Sequence, residues 1–254
     1  RLPAPADIAR EIGRDVDPDA IFAAHRKLSG AIGKALLGDL PGLRGALAAS
    51  GTYRPDAASA GRRALRNELL GLAALAAPHD AADLCEEQFA SGDNLTDRLA
   101  ALAAMTLIPG ERRESLIGRF AETYASEPLV LDKWLMAQAL IAEPGTLERV
   151  KQLMQHPAFS LGNPNRVRAL IGGFAANLTQ FNRADGAGYE FVADIVVALD
   201  KTNPQVASRL LGSFKSWRML EPGRKRLAQE ALGTVARLPN LSRDVADIAE
   251  RALA

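Results

Sequence analysis

Apolar residues recur at intervals of three and four positions along nearly the whole chain, and most of them are Ala or Leu. This spacing places apolar side chains on one face of an α-helix. A clear example is segment 191–199, whose shared face is formed by Phe191, Val192, Ile195, Val196 and Leu199. Because only 5% of the residues are aromatic, a β-sheet is disfavoured, and the pattern predicts an all-α protein of about a dozen short helices.

Prolines are expected to mark the positions where these helices begin. Seven of them open an apolar-periodic stretch, namely Pro18, Pro78, Pro109, Pro128, Pro164, Pro204 and Pro222. At the first position of a helix, the missing N–H and the fixed φ of proline cost nothing. Gly, Pro, Ser and Asn concentrate instead in segments 38–60 and 177–188, which we expect to be loops or broken helices.

An internal repeat is the most informative feature of the chain. Segment 163–174 returns 40 residues later as segment 203–214. Each copy has an Asn N-cap, a first-turn Pro, an apolar pair, a Gly (Gly172 or Gly212) expected to allow close helix approach, and a Phe for the core. A helical unit of about 40 residues is typical of HEAT and armadillo proteins. We therefore expect an α-solenoid of stacked antiparallel helix pairs, with residues 1–254 forming a single helical-repeat domain. Chance similarity of two well-capped helices is the alternative.

Charge and cysteine content argue against several classes of function. The 31 Lys and Arg residues nearly balance the 30 Asp and Glu residues, so no net field directs the chain to nucleic acid or to a membrane. The longest apolar stretches, 69–77 and 99–108, are much shorter than the ~20 residues that span a bilayer. The single cysteine, Cys85, excludes an internal disulfide and favours a cytoplasmic setting. The Pro-rich opening, residues 2–5, resembles a tether to a preceding segment or an ordinary frayed terminus.

No catalytic or metal-binding motif is evident in the chain. A zinc hydrolase needs two imidazoles one helical turn apart, and His25, His79 and His156 lack that spacing. Nucleophile and phosphate-loop motifs are also missing. Three basic clusters lie at residues 62–66, 112–113 and 224–226. Because Asp and Glu are interspersed with them, we interpret them as solvated helix faces rather than as a nucleic-acid surface.

Exposed positions of the two repeated helices form the candidate binding site. Gln205 and Arg209 are four residues apart and share a helix face, and Arg168 lies near the start of the equivalent helix. Equivalent helices of a solenoid stand side by side, so these side chains can project from one surface. Arginine near a helix N-terminus is not favoured by the macrodipole. The cluster suits a carboxylate or a peptide carbonyl, although structural ion pairs explain the pattern equally well.

Five motifs, taken together and in order, resemble a known family. They are Asp93-Asn94-Leu95-Thr96-Asp97, Leu131-Asp132-Lys133-Trp134, Asn163-Pro164-Asn165-Arg166, Asp185-Gly186-Ala187-Gly188-Tyr189 and Asn203-Pro204-Gln205-Val206-Ala207-Ser208-Arg209. Over essentially its whole length, the chain is similar to the C-terminal helical domain of the bacterial aminopeptidase N family, which are zinc-dependent aminopeptidases of the gluzincin type. It departs from the family at Leu220-Glu221, where Tyr-Asp is common, and this departure concerns the local helix packing.

The resemblance implies a non-catalytic cap domain in the C-terminal part of a longer enzyme. Its partners would be the N-terminal catalytic domains of the same polypeptide and the peptide substrate, with no nucleic acid and no membrane. Zinc and its His-Glu-x-x-His ligands would lie in the catalytic domains, so this chain would hold no cofactor and be inactive alone. Arg168, Gln205 and Arg209 match family positions that border the substrate channel, which implies contact with the peptide beyond its first residue.

Two functions of other classes stay open on the residues alone. One is a free-standing HEAT-like scaffold that binds a protein partner along its concave face. The other is a helical-repeat protein that binds nucleic acid, for which binding would depend steeply on salt. A net charge of +1 gives no reason to expect that behaviour.

Overall fold

The computed structural model describes residues 2–48 and 53–254. Within these ranges the regular elements are helices, apart from an isolated bridge between Val16 and Leu220, which confirms the all-α prediction. The chain divides into two compact units, one formed by Ala23–Val130 and the other by Pro3–Phe22 with Leu131–Ala254. None of the helices in the described ranges combines the length and the apolar character needed to cross a membrane.

The first unit is built from five complete helices and parts of two others. The complete helices are α3 (Leu40–Ala46), α4 (Ala57–Ala76), α5 (Pro78–Ser91), α6 (Leu95–Met105) and α7 (Glu111–Thr123); α2 (Pro18–Leu36) enters this unit and α8 (Pro128–Ala139) leaves it. Helix α5 packs against both α4 and α6. The core contains the fully buried side chains of Leu70, Leu102, Met105 and Phe120, each of which contributes ~1.5–3 kcal/mol when removed from water.

The second unit contains the internal repeat. Its helices are α1 (Pro5–Ile12), α9 (Thr146–Leu153), α10 (Pro164–Val167), α11 (Gly173–Ala176), α12 (Leu178–Phe181), α13 (Ala187–Asp200), α14 (Pro204–Leu211), α15 (Pro222–Ala236) and α16 (Arg243–Leu253). A π-helical turn, Arg168–Gly172, joins α10 to α11, and a 3-10 helix, Gly212–Met219, follows α14. The apolar face predicted for segment 191–199 lies on α13, where Val192, Val196 and Leu199 are fully buried.

Proline and loop signals are largely confirmed, with one exception. Six of the seven prolines open helices α2, α5, α8, α10, α14 and α15. The prediction for Pro109 was wrong, because α7 begins at Glu111 after Gly110, whose φ of 126° suits only glycine. Segment 177–188 forms the short helix α12 and a turn, and segment 38–60 contains the short helix α3, as expected for broken helices. Residues 49–52 of the latter lie outside the described residues.

The capping and core roles predicted for the repeat are confirmed, but the role of its glycines is not. The Asn163 and Asn203 side chains accept hydrogen bonds from backbone N–H groups of the first turn, and Phe174 and Phe214 are buried. A Cβ added at Gly212 would meet no atom within 4 Å. The close approach occurs instead at Gly173, where a Cβ would lie 3.2 Å from the Cβ of Ala139.

Two of the basic clusters each contain one buried arginine, which their interpretation as solvated faces did not predict. Arg113 and Arg224 are buried, and a buried guanidinium requires charged or polar partners. Arg113 pairs with Glu114 at 3.0 Å. Arg224 pairs with Asp19 and donates to the backbone oxygen of Asn182. Arg113 and Arg224 therefore have structural roles.

The departure from the family pattern at Leu220-Glu221 does not disturb the packing. Leu220 is buried, and its backbone pairs with that of Val16. The Glu221 carboxylate accepts hydrogen bonds from the backbone N–H groups of Gly223 and Arg224 at the start of α15. Glu221 therefore supplies the N-cap that this helix needs.

Candidate functional site

A groove lies between the two copies of the repeat within the second unit. One wall comes from α10, the π-helical turn and α11, and the other from α14 and the 3-10 helix that follows it. The cavity volume is about 360 Å³. We call it the cationic groove; it is lined by Pro164, Val167, Arg168, Gly172, Ala175, Ala176, Val206, Arg209, Leu210, Gly212, Ser213 and Lys215.

The groove combines an apolar floor with three cations and no carboxylate among its lining side chains. Arg168, Arg209 and Lys215 are all exposed. The Arg168 side chain donates a long hydrogen bond of 3.3 Å from Nη1 to the Asn165 side-chain oxygen. Among the described residues, none of the three cations forms an ion pair with a carboxylate. The predicted ion-pair alternative for Arg168 and Arg209 therefore has no counterpart in the described ranges.

Two of the three sequence-predicted channel residues are brought together by the fold. Arg168 and Arg209 line the same cavity although they are 41 positions apart. Gln205 is exposed on the first turn of α14 and is not among the side chains that line the groove. Val206, its neighbour in sequence, lines the groove instead.

Lys215 is the groove residue that sequence reasoning missed. In an uninterrupted α-helix, positions 209 and 215 would be separated by about 120° around the axis. The chain becomes a 3-10 helix at Gly212, where each residue turns about 120° instead of about 100°, so the separation narrows to about 60°. No feature of the sequence announces this change of helix type.

The chemistry available in the groove is that of binding. Guanidinium and ammonium groups form their strongest hydrogen bonds with carboxylates and other anions. The hydroxyl of Ser213 donates to the backbone oxygen of Leu210 at 2.7 Å. Uncompensated positive charge beside an apolar floor favours a ligand that carries both a negative group and apolar side chains.

Elsewhere in the described residues, the side chains of Cys85 and Tyr189 have structural rather than chemical roles. Burial raises the pKa of the Cys85 thiol to about 12, which keeps it protonated and unreactive. Burial also raises the pKa of Tyr189, whose hydroxyl donates to Asn182 at 2.9 Å. In residues 2–48 and 53–254, no group of three or more His, Cys, Asp or Glu side chains could hold a metal ion.

Known proteins resemble this chain from end to end. The aminopeptidase N of Caulobacter vibrioides is 38% identical over 255 residues, and that of Escherichia coli is 34% identical over 254 residues. These matches cover 99% and 100% of this chain but only 29% of each relative, in the C-terminal region. The chain therefore spans less than a third of the length of these curated relatives.

A solved structure and a family model agree with these relatives. The crystal structure of Legionella pneumophila aminopeptidase A in complex with aspartic acid matches with a TM-score of 0.90 at 27% identity, covering 100% of this chain and 30% of that one. A family model described as "Domain of unknown function (DUF3458_C) ARM repeats" matches residues 1–254. Since that match covers the whole chain, the chain belongs to this ARM-repeat family.

Proposed function

We propose that this chain is the C-terminal cap domain of a longer, cytoplasmic zinc aminopeptidase, and that it encloses the active site and lines the substrate channel. The observation that carries the proposal is the cationic groove, which bears two of the three expected channel residues in a chain that resembles aminopeptidase N throughout. Zinc and the catalytic groups belong to the N-terminal domains of the same polypeptide. The chain alone is inactive.

The proposed role of the groove is to hold a peptide beyond its first residue. A peptide differs from a single-residue amide in having further backbone carbonyls and a C-terminal carboxylate. Arg168 and Arg209 are placed to donate charge-assisted hydrogen bonds to those oxygens. Gln205, exposed one turn before Arg209, is placed to bond the peptide backbone at the margin of the groove.

Arg209→Ala in the full-length enzyme tests this role. We expect kcat/KM for a short peptide to fall by roughly tenfold, since a hydrogen bond to a charged group contributes about 1.5–3 kcal/mol. Activity on an alanyl amide should stay unchanged, because that substrate ends before the groove. The measurement is kcat/KM for both substrates with the same enzyme preparation.

Arg226→Ala is the matched control, because it removes the same charge from an exposed position, where Arg226 pairs with Glu230 on its own helix. It should leave both substrates unaffected. Equal losses on peptide and amide with Arg209→Ala would contradict the channel role. A loss with Arg226→Ala as large as with Arg209→Ala would assign the effect to overall charge.

A scaffold that binds a protein partner is the second candidate. It is favoured by apolar side chains at and just beyond α8, where Leu129, Met136 and Leu140 are 70%, 38% and 45% exposed. These positions are spaced for one helix face. Adding this chain to the isolated catalytic domains separates the two functions. Binding and altered activity are expected for a cap, whereas neither is expected for a scaffold with another partner.

A further inference from the structure

A second concentration of positive charge lies in the first unit and shares no residue with the cationic groove. We call it the arginine pocket; it is lined by Arg54, Arg62, Arg63 and Arg66, together with Tyr53 and Ser59. On α4, Arg66 lies three positions after Arg63 and four after Arg62, so its side chain neighbours both of theirs. The sequence alone favoured a solvated face for this cluster; in the structure Arg62 is exposed, whereas Arg63 and Arg66 are half-buried beside a cavity.

The two acidic residues that line the arginine pocket are hydrogen-bonded to amides rather than paired with its arginines in the described residues. Asp93 and Asp97 also line the cavity, but their carboxylates accept from neutral amides. Asp97 accepts from the Asn67 and Asn94 side chains at 3.1 and 3.0 Å, and Asp93 accepts from Asn94 at 2.8 Å. Among the described residues, neither forms an ion pair with an arginine. Only Arg54 has a carboxylate partner, Asp56, at 3.4 Å.

The contacts that position Arg63 are made to neutral groups, so they do not neutralise its charge. The Arg63 guanidinium lies 4.7 Å from the centre of the Tyr53 ring and donates to the backbone oxygen of Arg54 at 3.0 Å. The Nε atom of Arg66 is buried and has no hydrogen-bond partner among the described residues. A buried N–H without an acceptor is unfavourable. An acceptor supplied by a ligand would remove that cost.

A further buried cation, Arg44, contacts the backbone of a residue that lines the pocket. Arg44 donates to the backbone oxygen of Arg66 and to the side-chain oxygen of Gln88, and both of these acceptors are neutral. Burial, and next the positive charge of Arg66, lower the pKa of Arg44. The charges of Glu87 and Asp97 raise this pKa but do not offset burial and Arg66, and the like charges of Arg44 and Arg66 repel one another. An anion in the pocket would relieve that repulsion.

The size of the cavity limits the ligand. Its volume is about 100 Å³, below the roughly 300–1,000 Å³ of sites that enclose whole organic ligands. Arginine forks match the oxygens of phosphate in bidentate geometry. We propose that the arginine pocket binds a phosphate group, supplied either as inorganic phosphate or as the ester of a small metabolite.

Titration calorimetry with the 254-residue chain at constant ionic strength tests this proposal. Inorganic phosphate and glycerol 3-phosphate are the two probes, and sodium chloride is the reference anion. We expect saturable binding of at least one probe. Tighter binding of inorganic phosphate would identify the free ion as the ligand, and tighter binding of the ester would identify a metabolite. Binding of neither probe would overturn the proposal.

Arg62→Gln/Arg66→Gln, made together, should weaken binding by about tenfold or more, since two charged donors are lost. The matched control is Lys225→Gln/Arg226→Gln, which removes the same charge from exposed positions of α15 and should bind normally. Unchanged binding in the pocket variant would overturn the proposal. If that variant fails to fold, Arg62→Gln alone replaces it, because Arg62 is exposed.

Amide chemical shifts provide a readout that needs no variant. On addition of the probe, we expect perturbations to concentrate in residues 53–66 and 93–97. Perturbations centred instead on Arg168, Arg209 and Lys215 would assign the anion to the cationic groove and overturn the proposed site.

Discussion

Segments 163–174 and 203–214 begin alike and then diverge. Both open with an Asn cap and a Pro, and both end on a buried Phe. Between these points the first copy widens into a π-helical turn, whereas the second continues as an α-helix and tightens into a 3-10 helix at Gly212. The side chains differ as well. Arg166 is buried and pairs with Asp132, whereas its counterpart Val206 lines the cationic groove.

This difference shows which features of the repeated helices are set by local sequence and which by tertiary packing. A cap and a first-turn proline satisfy backbone groups within four residues, so they work wherever the helix stands. The helix type after the first turn depends on what packs against it. The first copy lies against Ala139 and Met136 at Gly173, and no such approach occurs at Gly212. The two walls of the cationic groove therefore differ in helix type.

The largest effect in this comparison should come from breaking the ion pair that only the first copy has. Asp132→Asn keeps the shape of the side chain but removes the carboxylate that pairs with Arg166 at 2.6 Å, and the Arg166 side chain is 10% exposed. We expect the free energy of unfolding to fall by about 3 kcal/mol. Urea denaturation measures this loss.

Val206→Ala provides the comparison at the equivalent position, and we expect a loss of about 1 kcal/mol for a half-buried methyl pair. If Asp132→Asn lowers the free energy of unfolding by less than 1 kcal/mol, the ion pair does not make the first copy more important for stability than the second.

The two glycine positions should respond in opposite directions. Gly173→Val places methyl groups against Ala139 and Met136, and overpacking of this kind costs about 1–3 kcal/mol. Gly212→Ala meets no atom within 4 Å and should raise stability by about 0.5–1 kcal/mol, because alanine restricts the unfolded chain. Thermal unfolding of both variants measures the contrast. Destabilisation by Gly212→Ala would show that close packing occurs at both positions.

The smallest effect should arise in the turn between the copies. Hydrogen bonds from the Arg183 side chain lower the pKa of Asp185 to about 2. A carboxyl group with a depressed folded-state pKa stabilises the fold above its unfolded pKa of about 3.9, and this contribution is lost as the pH falls towards 2. Since the side chain is 53% exposed, the contribution should stay below about 1 kcal/mol.

Asp185→Asn should therefore reduce stability at pH 7 and flatten the decline of stability between about pH 4 and pH 2. Asp194→Asn, at an exposed position of α13, is the matched control. Unfolding midpoints measured across this pH range compare the two variants. If wild type and Asp185→Asn lose stability identically as the pH falls, Asp185 does not contribute to the acid sensitivity of the protein.

Sequence periodicity predicted the class of fold and most helix starts, because both depend on interactions within a few residues. Pro164 and Pro204 begin helices as expected, and Phe174 and Phe214 reach the core. Pro109 did not begin a helix, because Gly110 adopts a conformation that no proline signal reveals. The burial of Arg113 and Arg224 was also missed, since hydrophobic spacing does not show which charges are buried.

For the candidate site, the sequence by itself determined that Arg168, Gln205 and Arg209 stand near the starts of two similar helices. The tertiary structure decided that Arg168 and Arg209 line one groove, that Gln205 lies outside its lining and that Lys215 joins it. It also placed four arginines around a small cavity of the first unit. The physical reason is range: capping and periodicity act within one or two helical turns, whereas cavities depend on the packing of helices distant in sequence.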